Sequence, residues 1–224
     1  MPRHARGFDT DAAFAHLGKR DRKLGTWMKK LGPIEADPRW RKSFDPVDAL
    51  ARAILYQQLS GKAAATIVAR VETAIASDRF HCDTLARCDD ATIRACGVSG
   101  NKLLALRDLA LRESRGEIPD LRRMGTMDND AIIAALVPVR GIGRWTVEMM
   151  LMFRLGRPDV LPVDDLGIRK GAQVVDKLDG MPKPKELIER GERWGPYRTY
   201  ASLYLWRIAD SAVKSTTPTK RSQE

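Results

Sequence analysis

Apolar residues recur at three- and four-residue steps along nearly the whole chain, and that period belongs to helices that bury one face. In PVDALARAILYQQL (46–59) the steps run through Val47, Leu50, Ala51, Ile54, Leu55 and Leu59, behind an Asp45-Pro46 start signal. The pattern continues as a second helix over 61–76 and as shorter ones over 84–95, 102–114, 128–136 and 144–155. After the proline-interrupted GRPDVLP (156–162) it resumes over 166–178, 186–194 and 197–213. No alternating strand pattern and no internal repeat is visible. The fold class expected is all-α.

The stretch VRGIGRWTVEMM (139–150) raises a sharper question. Val139-Arg140-Gly141-Ile142-Gly143-Arg144 joins two helices, and the glycines leave backbone amides uncovered at a helix start. Such amides, with the helix dipole behind them, hold phosphate without reading sequence. A plain connection between packed helices, with Trp145 as an ordinary core residue, fits the same letters.

Charge bears on that choice. The chain carries 39 Lys and Arg against 29 Asp and Glu, a formal net charge of +10 and a pI near 9.8. A basic surface points to polyanionic partners, nucleic acid first. No apolar run approaches the ~18–20 residues of a membrane span, and MPRHARGFDT has no apolar core of a secretory signal. The expected setting is therefore away from membranes and cytoplasmic, nucleoid-associated in a bacterium and nuclear in a eukaryote. Cys82, Cys88 and Cys96 are spaced neither as zinc pairs nor as an iron–sulfur run, and read as reduced thiols.

Asp164-Asp165 follows the proline-interrupted loop. Either acid is suited to cap the helix from Leu166. A carboxylate is also costly beside phosphates, so its use in a DNA-binding chain would be to stabilise a positive charge.

Taken together, LVPVRGIGRWTVEMMLMFRLGRPDVLPVDDLGIRKG (136–171) resembles the helix–hairpin–helix, Gly/Pro-rich loop and Asp signature of the base-excision DNA glycosylases. Within them it is most similar to the DNA-3-methyladenine glycosylase II group. ILYQQLSGKAAATI (54–67), GVSGNKLLALRDLA (97–110) and ERWGPYRTYASLYLWR (192–207) resemble that group's wedge segment, middle helix entry and closing helix. The resemblance covers roughly residues 45–210.

The resemblance implies two helical subdomains flanking a DNA-binding cleft. It implies an N-terminal helical segment (1–45) packing with the C-terminal part, a helix–hairpin–helix domain (46–156), and a C-terminal helical part with the catalytic Asp (157–213). A disordered basic tail (214–224) is expected to follow. The approximately 45 residues before the wedge segment leave no room for the extra β-domain of larger bacterial enzymes.

By the same resemblance Asp165 aligns with the catalytic aspartate and Asp164 is its supporting neighbour. Trp145 and Trp206 line the base pocket, with Tyr56 and Met149 setting its volume. Gln57, Gln58 and Leu59 fill the space left by an extruded base. Bifunctional members place a lysine where Trp145 stands, to form a Schiff base with the sugar; its lack implies a monofunctional hydrolase. Lys102 and Lys170 are the other lysines considered for that role. No cofactor and no required metal are implied, although hairpin carbonyls are an expected site for a monovalent cation. The implied partner is double-stranded DNA with alkylated bases, bound by a monomer that flips the base out. Glycosylases of the same fold acting on mismatched or oxidised bases, and non-catalytic helix–hairpin–helix scaffolds, are the alternatives; a scaffold needs neither the Asp pair nor the tryptophans.

Overall fold

A computed structural model describes residues 4–216, and within them the regular elements are all helical. In chain order they are α1 (Thr10–Arg20), α2 (Arg22–Leu31), α3 (Pro46–Tyr56), α4 (Gly61–Ile75), α5 (Cys82–Leu85), α6 (Asp90–Ala95) and α7 (Gly100–Ser114). There follow α8 (Leu121–Met124), α9 (Asn129–Leu136), α10 (Arg144–Phe153), α11 (Leu166–Asp176), α12 (Pro184–Gly191) and α13 (Arg198–Thr216). Short 3-10 turns lie at Pro38–Arg41 and Glu192–Trp194. Among the described residues no helix is long and apolar enough to cross a membrane.

Side-chain caps set most helix starts. Asp45, Ser60, Asp89, Ser99, Asp128 and Asp165 each accept a hydrogen bond from a first-turn amide, a contact worth about 0.5–2 kcal/mol. The caps also explain where the periodicity misleads. The helix expected over 46–59 stops at Tyr56, because Ser60 starts a new one and the chain must turn between them. The single helix expected over 84–95 is two, because Asp89 takes the extended N-cap conformation at φ −72°, ψ 171°. At the other end α13 runs on to Thr216, past the residue where the disordered tail was expected to begin; residues 217–224 lie outside the described residues.

The chain divides into two compact units. One comprises Lys42–Val147 with His4, the other Ala5–Arg41 and the chain from Glu148 onward. Their boundary falls inside α10. The first unit closes over the apolar faces of α3, α4 and α7, with Leu50, Ile54, Val71, Ile75, Leu106 and Leu109 fully buried.

The second unit gathers α1 and α2 with α11, α12 and α13 around Leu17, Leu24, Met28, Ile168, Leu187 and Leu205. A polar knot fixes the N-terminal pair there. Asp21 ends α1, caps α2 through the Leu24 amide at 3.1 Å, and is only 3% exposed. The Arg190 guanidinium pairs with its carboxylate, the Trp194 indole donates to it at 2.8 Å, and Arg190 also reaches Asp176 at 2.6 Å. Burial alone would raise the Asp21 carboxyl; the hydrogen bonds from Arg190, Trp194 and Leu24 outweigh it and hold the group below the usual carboxylate range. Asp21→Ala would leave a buried guanidinium short of a partner, at an expected cost of about 3 kcal/mol in urea unfolding. Because the folded value is depressed, the Asp21 contribution is present above about pH 4 and is lost as pH falls through that lower value. A Tyr200→Phe control leaves this knot intact and should show no such acid-dependent loss.

Candidate functional site

In the second unit the chain leaves α10 through Gly156 and crosses the proline-interrupted loop to α11. The start of α13 pins that loop. Thr199 Oγ1 donates to the Arg157 carbonyl at 2.6 Å and accepts from the Val160 amide at 3.1 Å, while Arg198 pairs with Asp159 at 2.7 Å. The Asp165 amide then donates to the Pro162 carbonyl at 3.1 Å, closing a turn that delivers the side chain to the head of α11.

Asp165 is half-buried and Asp164 is exposed. Asp165 Oδ1 accepts the Ile168 amide at 2.9 Å and the Trp206 indole N–H at 2.8 Å. The carboxylate therefore does cap α11, and the same oxygen is also fixed by an aromatic from α13. Trp206 is half-buried and stacks on Phe153, with ring centroids 5.9 Å apart and planes 21° off parallel. The Arg39 guanidinium lies 5.0 Å over the other ring of that stack, Phe153, and is itself pinned by Asp37. The periodicity had put Phe153 in an ordinary helix and gave Arg39 no role.

Gly167 is a third residue the sequence reading passed over. A Cβ there would sit 2.8 Å from Trp206 Cδ1, 3.1 Å from Trp206 Nε1 and 3.2 Å from Asp165 Oδ1. Any side chain at this position would push the indole off the carboxylate. Its place two residues beyond the acid was the available signal.

In the first unit the hairpin is anchored by buried Val139 and Ile142, whose neighbours Arg140, Gly141, Gly143 and Arg144 are exposed. The Arg140 amide donates to Asp108 of α7 at 2.7 Å. Gly141 has φ +77°, and a Cβ on it would meet Ala105 at 3.3 Å. The fold itself thus asks for glycine at 141. Gly143 differs: its φ is ordinary and a Cβ there would meet nothing within 4 Å. The carbonyls of Val139, Gly141 and Gly143 accept from Ile142, from Gln57 Nε2 at 2.9 Å, and from Thr146 and Val147. The Gly143 carbonyl thus accepts two bonds, whereas those of Val139 and Gly141 each accept one of these and keep a second lone pair for a monovalent cation.

Trp145 is not a core residue; it stands 49% exposed on the first turn of α10. Tyr56 (43%) and Leu59 are exposed as well, on the turn between α3 and α4. In that turn Gln58 holds a left-handed φ of +57°, unusual for a residue with a side chain. Met149 is half-buried and belongs to the part of α10 assigned to the second unit. The two lysines considered for amine chemistry are both engaged. Lys102 Nζ donates to the Leu55 carbonyl at 2.7 Å, and Lys170 Nζ to Gln173 Oε1 at 2.9 Å.

Residues 51–196 match the family described as HhH-GPD superfamily base excision DNA repair protein. DNA-3-methyladenine glycosylase 1 of Schizosaccharomyces pombe is 34% identical over 198 residues, 88% of this chain and 86% of its own length. The crystal structure of a DNA-3-methyladenine glycosidase from Bacillus halodurans superposes with a TM-score of 0.80 at 31% identity, covering 96% of this chain and 95% of that one. The S. pombe 3-methyladenine DNA glycosylase in complex with abasic DNA superposes with a TM-score of 0.77 at 33% identity, covering 92% and 100%. This chain belongs to the HhH-GPD superfamily of base excision DNA repair proteins.

Proposed function

We propose that the protein is a monofunctional DNA glycosylase that hydrolyses the N-glycosidic bond of alkylated purines, such as 3-methyladenine and 7-methylguanine, in double-stranded DNA. The observation that carries this reading is the Asp165 carboxylate, held by the Ile168 amide and the Trp206 indole beside a glycine that makes the approach possible. A capping acid needs only the first of those bonds. The relatives named 3-methyladenine glycosylases support the substrate class.

Alkylation at a ring nitrogen leaves the purine cationic, so it departs with the electron pair of the glycosidic bond and becomes neutral without needing a strong acid. The deoxyribose left behind develops positive charge. Asp165 stabilises that charge and orients the water whose oxygen attacks C1′, taking up its proton as the new C–O bond forms. Trp206 is assigned two tasks, offering its face to an electron-poor base and its N–H to the carboxylate. The half-exposed ring of Trp145 is assigned a stacking role too, each cation–π contact being worth roughly 0.5–2 kcal/mol. Tyr56 and Met149 set pocket volume. Gln57, Gln58 and Leu59 fill the stack. The amides and arginines of the 139–144 hairpin hold phosphate. The protein works as a monomer wherever its genome is kept, in the nucleoid or the nucleus.

The direct test is release of free methylated base from duplexes that each carry one defined lesion. Release from no alkylated purine, with activity on a mismatched or oxidised base, would move the protein to another substrate class. Asp165→Asn is expected to slow single-turnover excision by about 100-fold or more while DNA binding persists or tightens. Asp164→Asn should be milder, since Asp164 is the exposed neighbour. Trp206→Phe keeps a ring and deletes only the N–H; a loss of about 10-fold in excision, with base affinity nearly kept, is expected if orienting the carboxylate matters.

Gly143→Ala isolates the hairpin, because the fold has room for the methyl group. Weaker binding to damaged and undamaged DNA alike, with an unchanged melting temperature, is the expected result. Wild-type binding would reduce the hairpin to a helix connection. Gly141→Ala is less informative, since its positive φ makes it a folding variant as well.

No amine is assigned to the sugar, so borohydride should trap no covalent adduct and strand breaks should need alkali or heat. Enzyme-dependent cleavage without alkali, abolished by replacing one lysine, would make the protein bifunctional.

A further inference from the structure

An α-helix leaves its last carbonyls without intrahelical partners. α3 ends this way at Tyr56, where the chain turns before Ser60 opens α4. The donor that meets the end of α3 comes from another helix: Lys102 Nζ donates to the Leu55 carbonyl at 2.7 Å. That lysine is placed at some cost. It lies in the first turn of α7, its amide bonded to the capping Ser99, at the end of the helix dipole that disfavours a cation. It is also half-buried, and desolvation pulls its amine below the ordinary lysine range. A lysine serving only as a solvated charge would extend into water. The carbonyl end of α3, where a cation is favourable, offsets both penalties.

The same turn is tied a second time. Gln57 Nε2 donates to the Gly141 carbonyl at 2.9 Å, joining the turn to the hairpin. Beside Gln57, Gln58 adopts its left-handed φ of +57°, and the Leu59 amide reaches back to the Tyr56 carbonyl at 3.4 Å. Tyr56 and Leu59 are thereby displayed outward. Strained backbone of this kind persists only where the surroundings hold it.

We propose that Lys102 and Gln57 are positioning residues that hold the 56–59 turn in the shape that fills the gap left by an extruded nucleotide, Lys102 by capping α3 and Gln57 by tying the turn to the hairpin. The proposal rests on the glycosylase reading above. Holding the turn before DNA arrives removes the ordering cost at the moment of extrusion. It also gives Lys102 a mechanical task in place of the amine chemistry for which it was considered.

The test separates extrusion from chemistry. Single-turnover excision is measured on one methylated purine in two duplexes, one with a normal partner base and one with an abasic analogue opposite, where no pairing need be broken. Lys102→Met keeps most of the packed stem and removes the donor. It is expected to slow excision about 10-fold or more on the paired duplex and less than about 3-fold on the unpaired one, as misplacing a positioning element does. Affinity for undamaged duplex should stay within about 2-fold, because the phosphate contacts of the hairpin are untouched. Lys102→Arg, which can still reach the carbonyl, should restore the paired rate.

Equal losses on both duplexes, or wild-type rates on both, would overturn the assignment of Lys102. Failure of Lys102→Met to fold would overturn it too, by making the lysine a structural residue. Gln57→Leu is read by the same ratio of rates, and equal losses or none would overturn its half of the proposal. A wild-type protein that releases no base from either duplex would instead sink the glycosylase reading on which the proposal stands.

Discussion

The surroundings of the Asp165 carboxylate depend on how closely α11 runs against α13. At Gly171 a Cβ would lie 2.1 Å from the Leu205 carbonyl oxygen, so at this crossing one helix backbone meets the other with no side chain between them. Gly167, four residues earlier, lies on the same face of α11, where helical geometry places residues i and i+4. There the missing Cβ lets the Trp206 indole come within 2.8 Å of Asp165 Oδ1. Trp206 directly follows Leu205, so the backbone contact and the indole bond belong to one crossing. A larger residue at either glycine would move α13 outward and take the indole with it.

This geometry joins two properties that the letters DD leave separate. Capping a helix and serving a reaction make different demands, yet one oxygen of Asp165 satisfies the Ile168 amide and the Trp206 indole at once. Two fixed donors on one oxygen set the direction of the carboxylate, and direction is what a stabiliser of developing charge requires. The knot at Asp21 shows the contrast. There Arg190 and Trp194 enclose a carboxylate that is almost wholly buried, and the result is an anchor for the N-terminal helices. Acid, indole and backbone amide recur in both places; exposure separates them, since Asp21 is buried and Asp165 only half-buried.

Legibility in the sequence followed the range of each interaction. Helices with one apolar face were readable from spacing, and caps such as Asp45 and Asp128 from residue type, while the choice between Asp164 and Asp165 took the structure. Contacts between distant segments were not. Nothing in the letters ties residue 21 to 190, 39 to 153 or 102 to 55, because each pair meets only after the chain has turned back on itself. The helix over 46–59 was drawn too long for a related reason. Gln57, Gln58 and Leu59 continue a helical composition, but Ser60 needs an extended N-cap conformation, which a helix running through it would forbid. The family resemblance supplied the candidate site residues that composition alone left open, and it was silent on Gly167 and Phe153.

The two glycines of the hairpin carry different information, although the sequence prints them as one motif. Gly141 is explained from inside the molecule, by its positive φ and by Ala105 at 3.3 Å from where a Cβ would stand. Gly143 has no such explanation, since its backbone is ordinary and the space beside it is open. An internal requirement would hold in a scaffold, an enzyme or a plain helical turn alike. A glycine that the fold does not require is better evidence of something outside approaching the backbone. At 143 that backbone opens α10, among exposed Arg140 and Arg144, on a chain of net charge +10. A phosphate is the ligand whose charge and size suit such a helix start. The weight of the nucleic-acid reading in the first unit therefore rests on Gly143, just as the chemistry proposed for the second rests on the space left at Gly167.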